Sequence, residues 1–325
     1  MNQVATIMQL KKIIFLTLFV LINSTELLGQ FASHFNTNSN WEANRREIFL
    51  AVGATQFMGD LGGRDRIGTQ KSIIDWDWAA VRMGAGLGYR YRFKPKWATT
   101  TKLYFGYVSG DDAHTNEIIR NSRNLSFRSP LLELSQRIEF NIYTHERIGA
   151  RYSIPGLKGM KSKAEFIYIY TGIGGFFFNP QMNIEGRWTN LHPLRTEGQG
   201  LPDGPDEYKR ISISIPFGIG FKVSIGQFWR IGLEMDYHLT FTDYLDDVST
   251  DYYNPQVLAS NFGNDAGYAS NPAKQNHSWF APGQQRGNPD DNDAFFYANI
   301  VFTRNISYSK PKSFSGFRWK RSRTQ

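Results

Sequence analysis

The sequence predicts an all-β protein: an eight-stranded antiparallel transmembrane β-barrel with long outer loops and a basic periplasmic C-terminal tail. Three observations predict it. Apolar residues recur at every second position through segments of roughly 11–15 residues, well beyond the ordinary strand of about five or six. Each segment is long enough to cross a bilayer at the usual tilt. The connections between segments alternate short and long, the asymmetry of outer-membrane barrels. Mean hydropathy is −0.43 over 325 residues, too polar for a bundle of membrane helices but compatible with strands whose two faces average out.

The N-terminus has the pattern of an export signal. Lys11 and Lys12 precede the apolar run Ile13–Ile22, which is too short to span as a helix and fits a signal peptide over residues 1–29, cut near Gly29–Gln30. Residues 30–45 are then a periplasmic lead into a barrel over residues 46–308, and residues 309–325 form the tail.

The first strand covers Glu47–Phe57, with Ile48, Leu50, Val52 and Ala54 on one face. The second covers Ala80–Phe93, where Met83, Ala85, Leu87, Tyr89 and Tyr91 oppose Arg82, Gly84, Gly86, Gly88, Arg90 and Arg92. Lys94–Lys96 carries a proline that sets a tight turn. The third strand, Trp97–Val108, sends Leu103, Phe105 and Tyr107 outward and Lys102 inward. The fourth, Leu131–Tyr143, alternates Leu132, Leu134, Ile138, Phe140 and Ile142 with Glu133, Ser135, Arg137, Glu139 and Asn141. The fifth, Ala164–Phe178, is less regular, with Ile167, Ile169, Ile173 and Phe177 sharing a face. The sixth, Ile211–Ile225, alternates most cleanly and places Lys222 inward. Its Pro216 donates no ladder hydrogen bond, which predicts a bulge or a lapse in pairing. After Gly226–Gln227 the seventh, Phe228–Thr242, opposes Trp229, Ile231, Leu233, Met235, Tyr237, Leu239 and Phe241 to Arg230, Gly232, Glu234, Asp236, His238 and Thr240. The eighth is Ala294–Tyr308. Links after strands two and six are tiny, Thr144–Ser162 is intermediate, and the other four are long and polar. An even strand count returns both termini to the periplasmic side.

A soluble β-sandwich would have shorter strands and no sorting of loops by length. A soluble barrel would have the opposite sidedness. Here the polar face carries glycines and charges together, as a narrow filled lumen requires.

The inward charges are Arg82, Arg90, Arg92, Lys102, Arg137, Lys222 and Arg230 against Glu133, Glu139, Glu234 and Asp236. An eight-stranded barrel is just wide enough for side chains, and buried charges need partners. The mixed signs therefore predict a paired plug rather than a conducting pore. His238 joins this set as an interior histidine. It faces the lumen, the wrong side for catalysis on lipid, and has no second histidine at metal-ligand spacing.

Absence of cysteine excludes disulfides, thiolate metal sites and a cysteine nucleophile. Gly59–Thr69 is glycine-rich but lacks the GK[ST] of a phosphate loop. Asp290–Asp293 lacks the spacing of a calcium loop. No metal or cofactor is expected. The tail presents Lys310, Lys312, Phe317, Arg318, Trp319, Lys320, Arg321 and Arg323 and no acid. On the periplasmic side it is no nucleic-acid arm. It suits docking on an acidic partner or on anionic lipid, or a solvated tail.

Gly59–Thr69 (GDLGGRDRIGT), Gly88–Phe93 (GYRYRF), Ser109–Asp112 (SGDD), Arg120–Ser135 (RNSRNLSFRSPLLELS), Gly172–Pro180 (GIGGFFFNP) and Asp290–Phe302 (DDNDAFFYANIVF) together resemble an outer-membrane β-barrel family of Bacteroidetes, the PorG-like barrels of the type IX (Por) secretion system. The similarity runs over about Arg46–Tyr308, and the basic tail departs from the family's pattern. The resemblance implies a non-enzymatic barrel beside the secretion apparatus, with periplasmic ring proteins resembling PorK and PorN as partners. The alternatives are a surface barrel with ligand-binding loops or an envelope-structural role, and a lipid-modifying enzyme of the outer membrane.

Overall fold

The computed structural model describes residues 45–61, 78–115, 117–147, 163–225, 229–275 and 278–306. The signal region, the N-terminal lead up to residue 44, residues 62–69 of the glycine-rich segment, residues 148–162 of the link after the fourth strand, the Gly226–Gln227 turn and the basic tail lie outside the described residues.

Among the described residues there are ten strands: β1 (Arg46–Met58), β2 (Arg82–Lys94), β3 (Trp97–Asp111), β4 (Ser126–Arg147), β5 (Lys163–Phe178), β6 (Gln181–Ile184), β7 (Arg187–Asn190), β8 (Ile211–Ser224), β9 (Trp229–Thr240) and β10 (Ala294–Asn305). Eight of them form a ring. β1 pairs with β2 and with β10, and the ladder continues through β3, β4, β5, β8 and β9 back to β10. Every pairing is antiparallel, so the sheet closes on itself as a barrel, and its ladders satisfy most of the wall's backbone polar groups.

Period-two alternation puts opposite chemistry on the two faces. Within β2, Leu87 is 65% exposed on the outside and Arg90 is 2% exposed inside. Around the ring Leu50, Leu103, Leu134, Ile138, Ile169, Ile219, Leu233 and Ile300 all face outward and are exposed. An apolar exterior around a charged interior is the arrangement that a bilayer, and not water, stabilises.

The ends of the barrel differ. At one end lie Arg46, Asn305 and the Pro95–Lys96 turn, where Asn141 N donates to the Lys96 carbonyl at 2.8 Å. At the other end the described parts of the long connections, predicted as polar loops, fold into a cap. Among the described residues it contains the β6–β7 hairpin and the α-helices α1 (Ile118–Arg123), α2 (Pro255–Phe262) and α3 (Asn264–Ser270). Asn254 caps α2 through its side chain, with Pro255 at the first turn. The cap has an apolar core of its own, in which Leu191, Leu194, Leu245, Val248, Leu258 and Ala266 pack on Phe57, Phe127, Phe178 and Phe295 from the barrel mouth.

Two expectations are sharpened. β4 starts at Ser126 and not at Leu131, because its first residues pair with the far end of β3, as in Asp111↔Ser126, and carry the wall into the cap. Pro216 causes no bulge. The β5–β8 ladder keeps its register from Thr171↔Phe217 to Gly174↔Ser214 and omits the pairs between, whereas β9 pairs through Pro216↔His238. The lost N–H therefore falls on the β5 side.

The sidedness predicts the response to charge. Leu87→Arg or Ile219→Arg, in mid-strand on the outer face, should cost about 2–4 kcal/mol in refolding titrations with lipid vesicles. Ile118→Arg, on the exposed surface of α1, should stay within about 0.5 kcal/mol. Equal effects at these positions would contradict a lipid-facing wall.

Candidate functional site

The lumen is filled by side chains that the strand alternation sends inward. Near the short-turn end Glu47 of β1 is the hub. Its carboxylate accepts from Arg90 Nη1 at 3.1 Å, from Lys222 Nζ at 2.8 Å and from Arg230 Nη1. Lys222 Nζ and the guanidinium carbons of Arg92 and Arg230 also surround the Phe166 ring, at 4.7, 4.8 and 5.4 Å from its centroid. The aromatic face adds a second, weaker source of negative potential for the three cations.

Arg90 carries the network upward. Its Nε stands 2.6 Å from Glu139 Oε2, and its Nη2 donates to Glu234 Oε1 at 2.8 Å. Arg137 then bridges Glu234 at 3.2 Å and Asp236 at 3.1 Å, while Lys102 Nζ reaches Asp236 Oδ2 at 2.7 Å. Tyr168 Oη donates to Glu234 Oε1 at 2.6 Å, and Tyr170 Oη donates to Asp236. Room for these rings comes from Gly218 and Gly220 of β8. A Cβ at either position would collide with the Tyr170 or Tyr168 ring, which is why glycine occupies inward positions there.

Towards the cap the lumen becomes aromatic. His238 Nδ1 lies 2.9 Å from Glu133 Oε1, which also accepts from Ser214 Oγ at 2.6 Å. A carboxylate only accepts, so Nδ1 carries the proton. The imidazole stacks on Phe295 at 4.5 Å between centroids, and Tyr104 stacks on Tyr297 at 4.2 Å. Phe176 and Phe178 continue the layer into the cap core.

The structure thus brings together Arg90, Lys102, Glu133, Arg137, Glu139, Lys222, Arg230, Glu234, Asp236 and His238, with Arg92 beside them on Phe166. Arg82 is a correction. It has inward parity, but it stands at the cap end where β2 begins, is exposed, and donates to the Ala79 and Val81 carbonyls. Sequence reasoning missed Glu47, Phe166, Tyr168 and Tyr170. Their signal was their parity opposite Ile48, Ile167 and Ile169. The tail residues Lys310 to Arg323 lie outside the described residues.

Two arginines tie the cap together. Arg123 holds Asp112 with both Nε and Nη2, at 2.7 and 3.0 Å, and donates to the carbonyls of Asp60 and Arg286. Arg286 reaches Glu197 at 2.9 Å and the Asp247 carbonyl at 2.6 Å. Glu197 in turn accepts from the backbone of Ser249 and Thr250. Around these clamps lie buried acids. Burial pushes the carboxyls of Asp60, Asp246 and Asp293 up, and Asp246 and Asp293 also repel each other's charge. Burial raises Asp247 to about 6 despite Arg286 and the hydroxyls of Thr196 and Tyr208. Among the described residues no group of three or more histidines, cysteines or acids is placed to hold a metal ion.

The family described as Domain of unknown function (DUF6089) matches residues 30–271. No curated protein matches the chain. Among solved structures, Ail, the attachment invasion locus protein of Yersinia pestis, is similar at 11% identity and a TM-score of 0.30, over 80% of this chain and 98% of that chain. A second structure of Ail, in complex with the heparin analogue sucrose octasulfate, gives the same values. Neisserial surface protein A (NspA) is similar at 6% identity and a TM-score of 0.31, over 80% of this chain and 97% of that chain.

Two outcomes follow from this geometry. Glu47→Gln leaves Lys222 and Arg230 without the carboxylate they share, and should cost about 3–5 kcal/mol in refolding titrations; a loss under about 1 kcal/mol would show that the hub does not matter. The second concerns pH. A raised folded pKa means that the folded cap binds a proton that the unfolded chain releases near pH 4. The stability this proton confers is full below about pH 4 and is lost as pH rises through about 6. For Asp247 the window is worth roughly 3 kcal/mol. Hydrogen exchange of amides 243–250, corrected for intrinsic rate, should therefore be slower at pH 4.5 than at pH 7.5. Asp247→Asn should reduce the difference, leaving the share of Asp60, Asp246 and Asp293, since asparagine tolerates the φ of 68° found there. Exchange that is slower at pH 7.5 would contradict the assignment.

Proposed function

The chain belongs to the DUF6089 family; from the resemblance of its motifs to the PorG-like barrels and from the filled lumen we propose that it is a non-enzymatic outer-membrane barrel that anchors a periplasmic ring assembly of the type IX secretion apparatus. The observation that carries the proposal is the continuous ion-pair network from Glu47 to Asp236. A barrel whose interior is occupied by paired charges is suited to a structural role, and its two ends become the working surfaces. The short-turn end, with the link after β4 and the basic tail, is the surface for ring proteins resembling PorK and PorN. The export-signal pattern in the N-terminal sequence and the apolar outer face of the wall support the outer membrane as the location.

A second reading has its own support. The outer loops form a folded cap with an apolar core and arginine clamps, an investment that suits a surface barrel that binds a ligand or stabilises the envelope. Lipid modification is disfavoured by the position of His238, which is enclosed by Glu133, Phe295 and Tyr297 and faces away from lipid.

Deletion of the gene separates the two roles. The anchoring role predicts that export of type IX cargo is lost and returns with the full chain, and that a chain ending before Ser309 captures less ring protein. Normal export with altered adhesion or envelope stability would overturn it in favour of the second reading.

A further inference from the structure

The barrel wall is uneven at the cap end. β2 pairs with β3 only as far as Gly84↔Gly106, while β3 and β4 run on together to Asp111↔Ser126. Beyond Gly106 the β2-facing side of β3 is held by side chains instead. Thr55 Oγ1 donates to the Tyr107 carbonyl, and Ser109 Oγ donates to the Ala80 carbonyl at 3.0 Å. The β6–β7 hairpin joins β4 beside this step through Arg128↔Gln181. The result is a cavity of about 500 Å³ whose lining includes Arg82, Met83, Tyr107, Asp111, Arg128 and Trp188.

Two guanidiniums face this cavity. Arg128 lies flat on Trp188, 3.7 Å from the ring centroid, and is 5.8 Å from that of Tyr107. Its Nε donates to Gln181 Oε1 at 3.1 Å, which fixes the plane and leaves both Nη groups to spare. Arg82 gives Nη1 to the Ala79 and Val81 carbonyls at 3.0 Å each. Among the described residues neither arginine pairs with a carboxylate. Asp111, the acid in the lining, uses Oδ1 to accept from Ala113 N at 2.8 Å.

The level of the cavity identifies what fits it. Directly below, the outer wall presents Met83, Phe105, Tyr107 and Leu132, all exposed to lipid. Tyrosine and tryptophan collect where hydrocarbon gives way to headgroups, and here they hold an arginine at that depth. A guanidinium matches phosphate oxygens with paired N–H groups, and it does so more strongly where water is scarce. A free phosphate would gain nothing from the apolar wall below. We propose that Arg82 and Arg128 bind the phosphorylated headgroup of an outer-leaflet lipid, whose acyl chains run down the wall over Met83 and Tyr107. The site depends on the barrel's lying in a membrane and is independent of any role in secretion.

The test uses the full chain purified in detergent, with bisphosphorylated lipid A as the probe and lipid retention read by native mass spectrometry. The chain should retain the phosphorylated lipid about tenfold more than the same lipid stripped of phosphate. Arg82→Gln/Arg128→Gln should abolish that difference while the heat-modifiable band of the folded barrel persists. Should the double variant fail to fold, Arg82→Gln alone reads the same loss, because its contacts are confined to neighbouring carbonyls. Arg304→Gln, which removes the arginine over Trp229 at the opposite rim, should change nothing. Equal retention of the stripped lipid, or undiminished retention by the folded variants, would overturn the proposal. So would displacement of the lipid by equimolar inorganic phosphate, which would mark a plain anion site.

Discussion

Glu47 sits in a lumen too narrow for bulk water, and three cations from three other strands converge on it. That contact expresses the constraint on which the whole molecule depends. A membrane outside forces the polar half of each strand inward, and eight strands enclose only enough space for side chains. Each charge so enclosed costs several kcal/mol unless partners surround it. The network from Glu47 through Arg90, Glu234 and Arg137 to Asp236 supplies those partners and links β1, β2, β4, β8 and β9 across the interior. Tyr168 and Tyr170 donate into the same carboxylates from β5, and the glycines of β8 exist to admit their rings. Sequence features that look unrelated, the inward glycines and the inward charges, are two sides of one packing solution.

The cap extends this solution into water. Once the lumen turns aromatic around Tyr104, His238 and Phe295, its upper surface is an apolar floor, and the outer connections cover it with leucines from 191 to 258. Folding loops over an apolar floor buries their acids, and Arg123 and Arg286 compensate part of that cost by gripping Asp112 and Glu197. Rim and wall then differ in role. The wall faces lipid, and the two ends face water.

The wall was legible in the sequence because period-two alternation is a local signal. Lys102, Glu133, Arg137, Lys222, Glu234 and Asp236 were placed inside by parity alone, and the structure puts them in contact across the lumen. Parity says nothing of depth, so Arg82, which shares the parity of Arg90, was grouped with it although it stands at the rim. Parity also fails where both faces are apolar. On β5 the inward Phe166, Tyr168 and Tyr170 alternate with outward isoleucines, and chemistry alone does not tell the faces apart. The cap was illegible for a different reason. Its core residues, such as Leu191, Leu245 and Leu258, are isolated in polar, glycine- and asparagine-rich sequence and meet only through contacts distant along the chain. Asn254-Pro255 before an apolar turn is a local sign of a helix there.

The claim at the centre is that charge pairing closes the lumen, and electrical recording on the full chain in a planar bilayer tests it most directly. A closed lumen predicts that insertion, verified by the heat-modifiable band of the same sample, produces no open-channel current in molar salt at either polarity. A steady, salt-dependent conductance from every inserted barrel would contradict it, because ions cross an eight-stranded lumen only if the network from Glu47 to Asp236 gives way.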